Sequence, residues 1–154
     1  MKMRAMFLLS TLALGVASVT AAAAALSPQQ AVDARKSRYR EMGAAFKTIN
    51  DQVKSGTLVK VTLRGAARNI AGAARDQWQW FPTGAGPQAG FKTKAKANIW
   101  SDAAGFKKAQ AAFQQQADLM TKAVEGGQLS EVQKQAKALG QTCAACHRAY
   151  REED

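Results

Sequence analysis

Residues 129–150 read LSEVQKQAKALGQTCAACHRAY, and the spacing of their apolar side chains decides the fold. Leu129, Val132, Ala136, Leu139, Cys143, Cys146 and Tyr150 are separated by 3, 4, 3, 4, 3 and 4 residues. That alternation marks one face of an α-helix. Both cysteines occupy its core-facing seam, and His147, four residues after Cys143, lies on the same side. The helix is expected to start at Ser130, which forms a capping box with Gln133, and to run to about Arg151.

Inside this helix, Cys143-Ala144-Ala145-Cys146-His147 is a C-x-x-C-H pentad, the attachment signature of c-type haem. The two thiols add to the vinyl groups of one porphyrin, and the imidazole binds the iron from one face. The chain has two cysteines and one histidine, so His147 is its single imidazole ligand for a metal. Other readings of the pair are weaker. A thioredoxin-like C-x-x-C sits near a βαβ pattern, which is absent here. Two thiolates and one imidazole fall one ligand short of a closed zinc site. A plain disulfide gives His147 no reason to follow directly.

Residues 1–25 read as a secretory signal peptide. Lys2 and Arg4 form the positive start, Ala5 to Val19 are mostly apolar, and the alanine run 21–25 offers cleavage sites up to Leu26. The apolar stretch is too short and too rich in Ala, Ser and Thr for a membrane span. Export to the periplasm is the expectation, and it fits both haem attachment and paired cysteines. Residues 26–154 then form one haem domain of about 129 residues. Of the 22 basic residues, Lys2 and Arg4 leave with the leader, which lowers the formal charge from +11 to +9. The remaining basic residues are scattered, with no run longer than two. This describes a solvated positive surface suited to acidic partner proteins, and not a nucleic-acid or membrane site.

Apolar residues recur at helical spacing through most of the chain, without sustained alternation. The first mature helix is expected from about Ser27 to Lys54, with Ser27-Pro28 as cap and first position and Ser55-Gly56 as its end. Val32, Tyr39, Met42, Phe46, Ile49 and Val53 form its apolar row. The second spans about Thr57 to Trp78, with Val59, Leu63, Ala66, Ile70 and Ala74 inward. An irregular connection follows, from Gln79 to about Ala97. The third runs from about Ile99 to Glu125, where Gly126-Gly127 stop it, with Phe106, Phe113, Met120 and Val124 inward. Four such helices predict an all-α, antiparallel four-helix bundle with the haem held inside it.

The first helix is the candidate wall opposite His147. Arg35 falls on its seam, where an unpaired charge is costly and a haem propionate supplies a partner. The alternative is that Arg35 reaches solvent from the end of the bundle. Met1, Met3 and Met6 lie in the leader, so Met42 and Met120 are the remaining thioethers. Tyr39 lies one turn before Met42 and competes with it for the space above the iron.

The run from Leu139 to Arg151, with Ile99-Trp100-Ser101-Asp102-Ala103-Ala104-Gly105-Phe106-Lys107 and Arg35-x-x-x-Tyr39-x-x-Met42-Gly43, resembles the cytochromes c′, four-helix class II c-type cytochromes. The loop Phe81-Pro82-Thr83-Gly84-Ala85-Gly86 is similar to the family's connection after its second helix, which adds Phe81 to the expected haem contacts. The resemblance implies that Cys143 and Cys146 hold the haem and that His147 is the proximal ligand. It further implies that Arg151 is the basic residue beside that imidazole and that Arg35 is the arginine near a propionate. Tyr39 matches the distal position covering a vacant sixth site, where low-spin relatives of the c-556 type carry methionine.

The leading expectation is therefore a non-enzymatic periplasmic haem protein with five-coordinate iron that binds nitric oxide or carbon monoxide, in nitrosative-stress defence. The alternative is a low-spin electron-transfer cytochrome with Met42 as sixth ligand, docking acidic redox partners. Gly65, Ala66, Ala67, Ala71, Gly72, Ala73 and Ala74 stud the second helix with small residues. They fit either close packing within the bundle or a homodimer through the first two helices.

Overall fold

The computed structural model describes residues 25–153, so the expected leader lies outside the described residues except for Ala25. Among the described residues five α-helices occur: α1 (Pro28–Ser55), α2 (Lys60–Asp76), α3 (Asn98–Ser101), α4 (Ala103–Gly126) and α5 (Leu129–Tyr150). Two short 3-10 turns, Gln77–Trp80 and Pro87–Ala89, lie in the connection after α2.

Local chemistry explains the ends of α1. The Ser27 hydroxyl accepts from the Gln30 amide, and the Gln30 side chain accepts in return from the Ser27 amide. Gly56 ends the helix in the left-handed region at φ 72°, which glycine enters without steric cost. Three expectations need correction. The second helix starts at Lys60, leaving Val59 exposed instead of inward. The third is divided at Asp102 (φ −115°, ψ 55°), whose carboxylate caps the Gly105 amide at 3.0 Å. The fourth begins at Leu129 with Gln128 as cap residue and no side-chain cap, so the Ser130–Gln133 box does not form.

Helix α1 packs on α2 and α5, and α4 packs on the same two helices, closing a four-membered bundle in chain order. Ile49, Leu63, Ile70, Met120, Leu139, Val32, Val124 and Val132 are its fully buried large side chains. Burying each stabilises the fold by roughly 1.5–3 kcal/mol before entropy is subtracted. Alanines 66, 67, 71, 73 and 74 are also buried and let α2 approach its neighbours closely. No described helix is long and apolar enough to cross a membrane.

At one end of the bundle a second apolar cluster, Ala95, Ile99, Phe106 and Tyr150, packs with Phe81, Trp100 and Cys146. The connection is tied to the chain's end there. Ala95 and Arg151 form an isolated antiparallel bridge, with Lys96 N donating to Tyr150 O (3.0 Å) and Glu152 N to Lys94 O (2.8 Å). This arrangement leaves a cavity between the end cluster and the main core.

Candidate functional site

That cavity measures about 1030 Å³, at the upper end of the roughly 300–1,000 Å³ typical of small-molecule sites. Helix α5 forms one wall with Leu139, Thr142, Cys143, Cys146, His147 and Tyr150, and Arg151 follows at its end. Helix α1 contributes Arg35, Lys36, Tyr39, Arg40, Met42, Gly43 and Phe46. Phe81, Phe106 and Phe113 supply aromatic surface, and Lys92, Thr93 and Lys94 come from the connection. Every site residue expected from the sequence thus lines one space: Arg35, Tyr39, Met42, Phe81, Cys143, Cys146, His147 and Arg151.

Cys143 and Cys146 are half-buried free thiols. Burial pushes the Cys143 thiol up, and burial with the neighbouring Cys143 pushes Cys146 up to about 11. Both are therefore protonated near neutrality, the opposite of the low-pKa thiolate that disulfide exchange requires. His147 is exposed although it lines the cavity. Partial burial and then the Arg151 charge hold its pKa below the ordinary value. This favours the neutral imidazole, the form that ligates a metal.

Arg35 is 4% exposed and points inward. It does not snorkel to solvent. It donates from Nη1 to Trp80 O (3.3 Å) and from Nη2 to Ala85 O (3.1 Å) and Thr93 Oγ1 (2.9 Å). Its guanidinium carbon sits 4.8 Å from the centre of the Phe81 ring, a cation–π distance. All three acceptors are neutral, and they occupy three of the five N–H donors that a guanidinium carries. Desolvation lowers the Arg35 pKa, partly offset by Tyr39, yet arginine stays charged in proteins. The cavity therefore holds a buried cation with donors to spare, ringed by lysines and arginines, and among the described residues no carboxylate lines it.

Opposite α5, the Tyr39 ring stands edge-to-face with Trp80, 5.4 Å between centroids. Its hydroxyl donates to Gln77 Oε1 at 3.3 Å. Gln77 and Trp80, both 4% exposed, did not emerge from the sequence. The signal for Gln77 was present, because it continues the α2 row Leu63, Ala66, Ile70, Ala74 as its one polar member. Trp80 lies in a 3-10 turn, beyond the reach of helical periodicity.

The site fits a haem on its own chemistry. An apolar, aromatic cavity takes the macrocycle, paired thiols and an imidazole share one wall, and a side rich in lysine and arginine suits two propionates.

Comparison with known proteins agrees. The family model described as "Cytochrome C'" matches residues 30–151. Cytochrome c′ of Rhodospirillum rubrum is 32% identical over 139 residues, spanning 90% of this chain and 93% of that protein. Cytochrome c′ of Pararhodospirillum photometricum is 31% identical, spanning 82% of this chain and 99% of that one. Among solved structures, cytochrome c′ of Thermochromatium tepidum superposes with a TM-score of 0.78 over 84% of this chain and all of the other, and at 23% identity it speaks to the fold alone. The nitric oxide complex of a cytochrome c prime variant from Alcaligenes xylosoxidans superposes with a TM-score of 0.73 at 28% identity, over 82% of this chain and 97% of that one. The chain belongs to the cytochrome c′ family, whose members carry one covalently bound c-type haem.

Proposed function

We propose that this protein is a periplasmic gas-binding haem protein in which Tyr39 gates an iron face left without a protein ligand. The observation that carries this reading is that Tyr39, held by Trp80 and Gln77, lines the same cavity as Cys143, Cys146 and His147. A complex of nitric oxide with a similar cytochrome c prime from Alcaligenes xylosoxidans supports it. The bound haem supplies a redox-active iron with room for a diatomic ligand. The chain's residues do the rest. Cys143 and Cys146 retain the group as thioethers, and His147 offers a neutral imidazole with Arg151 beside it. Arg35 and Phe81 hold the propionate side. Tyr39 restricts access by bulk, which favours small ligands.

Among the described residues no carboxylate lines the cavity, and its one histidine is the proposed iron ligand. Binding and release in nitrosative-stress defence thus suit this chain better than catalytic turnover. Acidic redox partners fit its basic surface, and the small residues of α2 suit a homodimer through α1 and α2. Residues 1–25 would direct export. A second reading has one observation in its favour: Met42 lines the cavity too, and as sixth ligand it would make the protein an electron carrier.

Tyr39→Leu separates the two. In the haem-loaded ferrous protein, the gate predicts that carbon monoxide associates about tenfold faster, a barrier lowered by ~1.4 kcal/mol. An unchanged rate removes Tyr39 from the gating role.

A further inference from the structure

Gln77 is a buried amide on an otherwise apolar row, and its hydrogen bonds account for its presence. Nε2 donates to Ala74 O (3.0 Å) and Gln110 O (3.3 Å). Those two carbonyls fix the orientation of the amide, because the flipped form would turn Oε1 against two acceptors. Oε1 is therefore committed to accepting, and its donor is the Tyr39 hydroxyl at 3.3 Å. Ala74 belongs to α2, Gln110 to α4 and Tyr39 to α1, so one amide joins three helices at the cavity wall. A buried amide left unsatisfied is costly, so each of these bonds is retained while the wall stays closed.

We propose that Gln77 is a positioning residue that latches Tyr39 in its closed place and thereby sets how readily a gas reaches the iron. The inference rests on the gating reading of Tyr39. For a ligand to enter, the phenol must leave its place, breaking the bond to Gln77 along with the ring contact to Trp80. While the latch is closed, the hydroxyl proton points to Gln77 and is withheld from the ligand space. The wall then acts by bulk, without donating a hydrogen bond to what binds behind it.

Carbon monoxide association with the haem-loaded ferrous protein tests this, measured for wild type, Gln77→Met, Tyr39→Phe, the double variant and Tyr39→Leu. Methionine keeps the length of the glutamine and removes its polar atoms. Tyr39→Phe removes the hydroxyl alone and keeps the test open if Gln77→Met does not fold. The latch predicts about fivefold faster association in Tyr39→Phe and in Gln77→Met, the Boltzmann weight of one neutral hydrogen bond. It also predicts no additional acceleration when the two are combined, since both break the same bond. A Tyr39→Phe rate equal to wild type overturns it, as does a Gln77→Met effect that persists undiminished in the Tyr39→Phe background. If Tyr39→Leu alone accelerates binding, the gate stands and the latch falls. If Tyr39→Leu changes nothing, both fall.

Discussion

The Tyr150 hydroxyl donates to the Asp102 carboxylate at 2.9 Å, joining the last turn of α5 to the break between α3 and α4. The other oxygen of Asp102 caps Gly105 N at 3.0 Å, so one carboxylate starts α4 and holds the end of the pentad helix. Glycine at 105 makes the arrangement possible. A Cβ there would fall against the Asp102 carboxylate and 2.6 Å from the Tyr150 hydroxyl.

Gly105→Ala is consequently predicted to destabilise the protein by about 1–3 kcal/mol through the displaced hydrogen bonds. The sign is the test, because Gly→Ala inside an unobstructed helix stabilises by roughly 0.5–1 kcal/mol. A thermal midpoint below wild type supports the contact, and a rise contradicts it.

Arg35→Lys is predicted to lose most of what Arg35 provides. A compact ammonium lacks the planar fork that reaches Trp80 O, Ala85 O and Thr93 Oγ1 together, and it stacks less well on Phe81. Arg35→Leu removes the donor to the two carbonyls, while the Thr93 hydroxyl keeps the Ala95 amide at 3.1 Å. Denaturant unfolding should register a loss of about 2–4 kcal/mol for Arg35→Leu, with Arg35→Lys nearer to it than to wild type.

The chain's two tyrosines are both held protonated. For Tyr39 the main cause is burial, which persists when the cysteines become thioethers, with smaller contributions from the thiols and an opposing one from Arg35. For Tyr150 burial acts with the hydrogen bond and charge of Asp102. Below an unfolded-state pKa of about 10 the two states bind these protons equally. Above it the unfolded chain releases protons that the native state keeps, so stability falls as pH rises through 10 and beyond. Phenolate absorbance of the native protein should lag behind that of the unfolded chain as pH rises through about 10. In Tyr150→Phe, which leaves Tyr39 alone, ionisation near pH 10 in the folded protein would contradict the burial of Tyr39.

Gly65 and Gly72 distinguish the two readings of the small-residue helix. A Cβ at either meets nothing within 4 Å in a single bundle. If α2 needs small residues for its own bundle alone, alanine at both should stabilise by about 0.5–1 kcal/mol each and leave the oligomeric state unchanged. The proposed homodimer predicts in addition a weaker self-association, measured by sedimentation at several concentrations.

Much of this molecule was legible as sequence because helical periodicity and glycine stops act locally. Ser27, Gly56 and the seam of α5 act within a turn of their own helix, and each stands where the pattern placed it. The division at Asp102 was hidden because Ile99 and Phe106 keep the helical spacing across it. At the break the Asp102 carboxylate caps Gly105 N and accepts from Tyr150, 48 residues away, a partner that no local pattern announces. The inward turn of Arg35 depends on carbonyls of the irregular connection, 45 and 50 residues distant, where no period exists to read. The pentad named the cofactor; the latch on Tyr39 required three helices to be assembled first.

The most direct test of the central claim is the resonance Raman and absorption spectrum of the ferrous haem-loaded protein, with and without carbon monoxide, beside Met42→Ala. A gate over a vacant face predicts a high-spin, five-coordinate spectrum that carbon monoxide converts to six-coordinate low-spin and that Met42→Ala leaves unchanged. A low-spin spectrum with a sulfur-to-iron band, insensitive to carbon monoxide and lost in Met42→Ala, would contradict it.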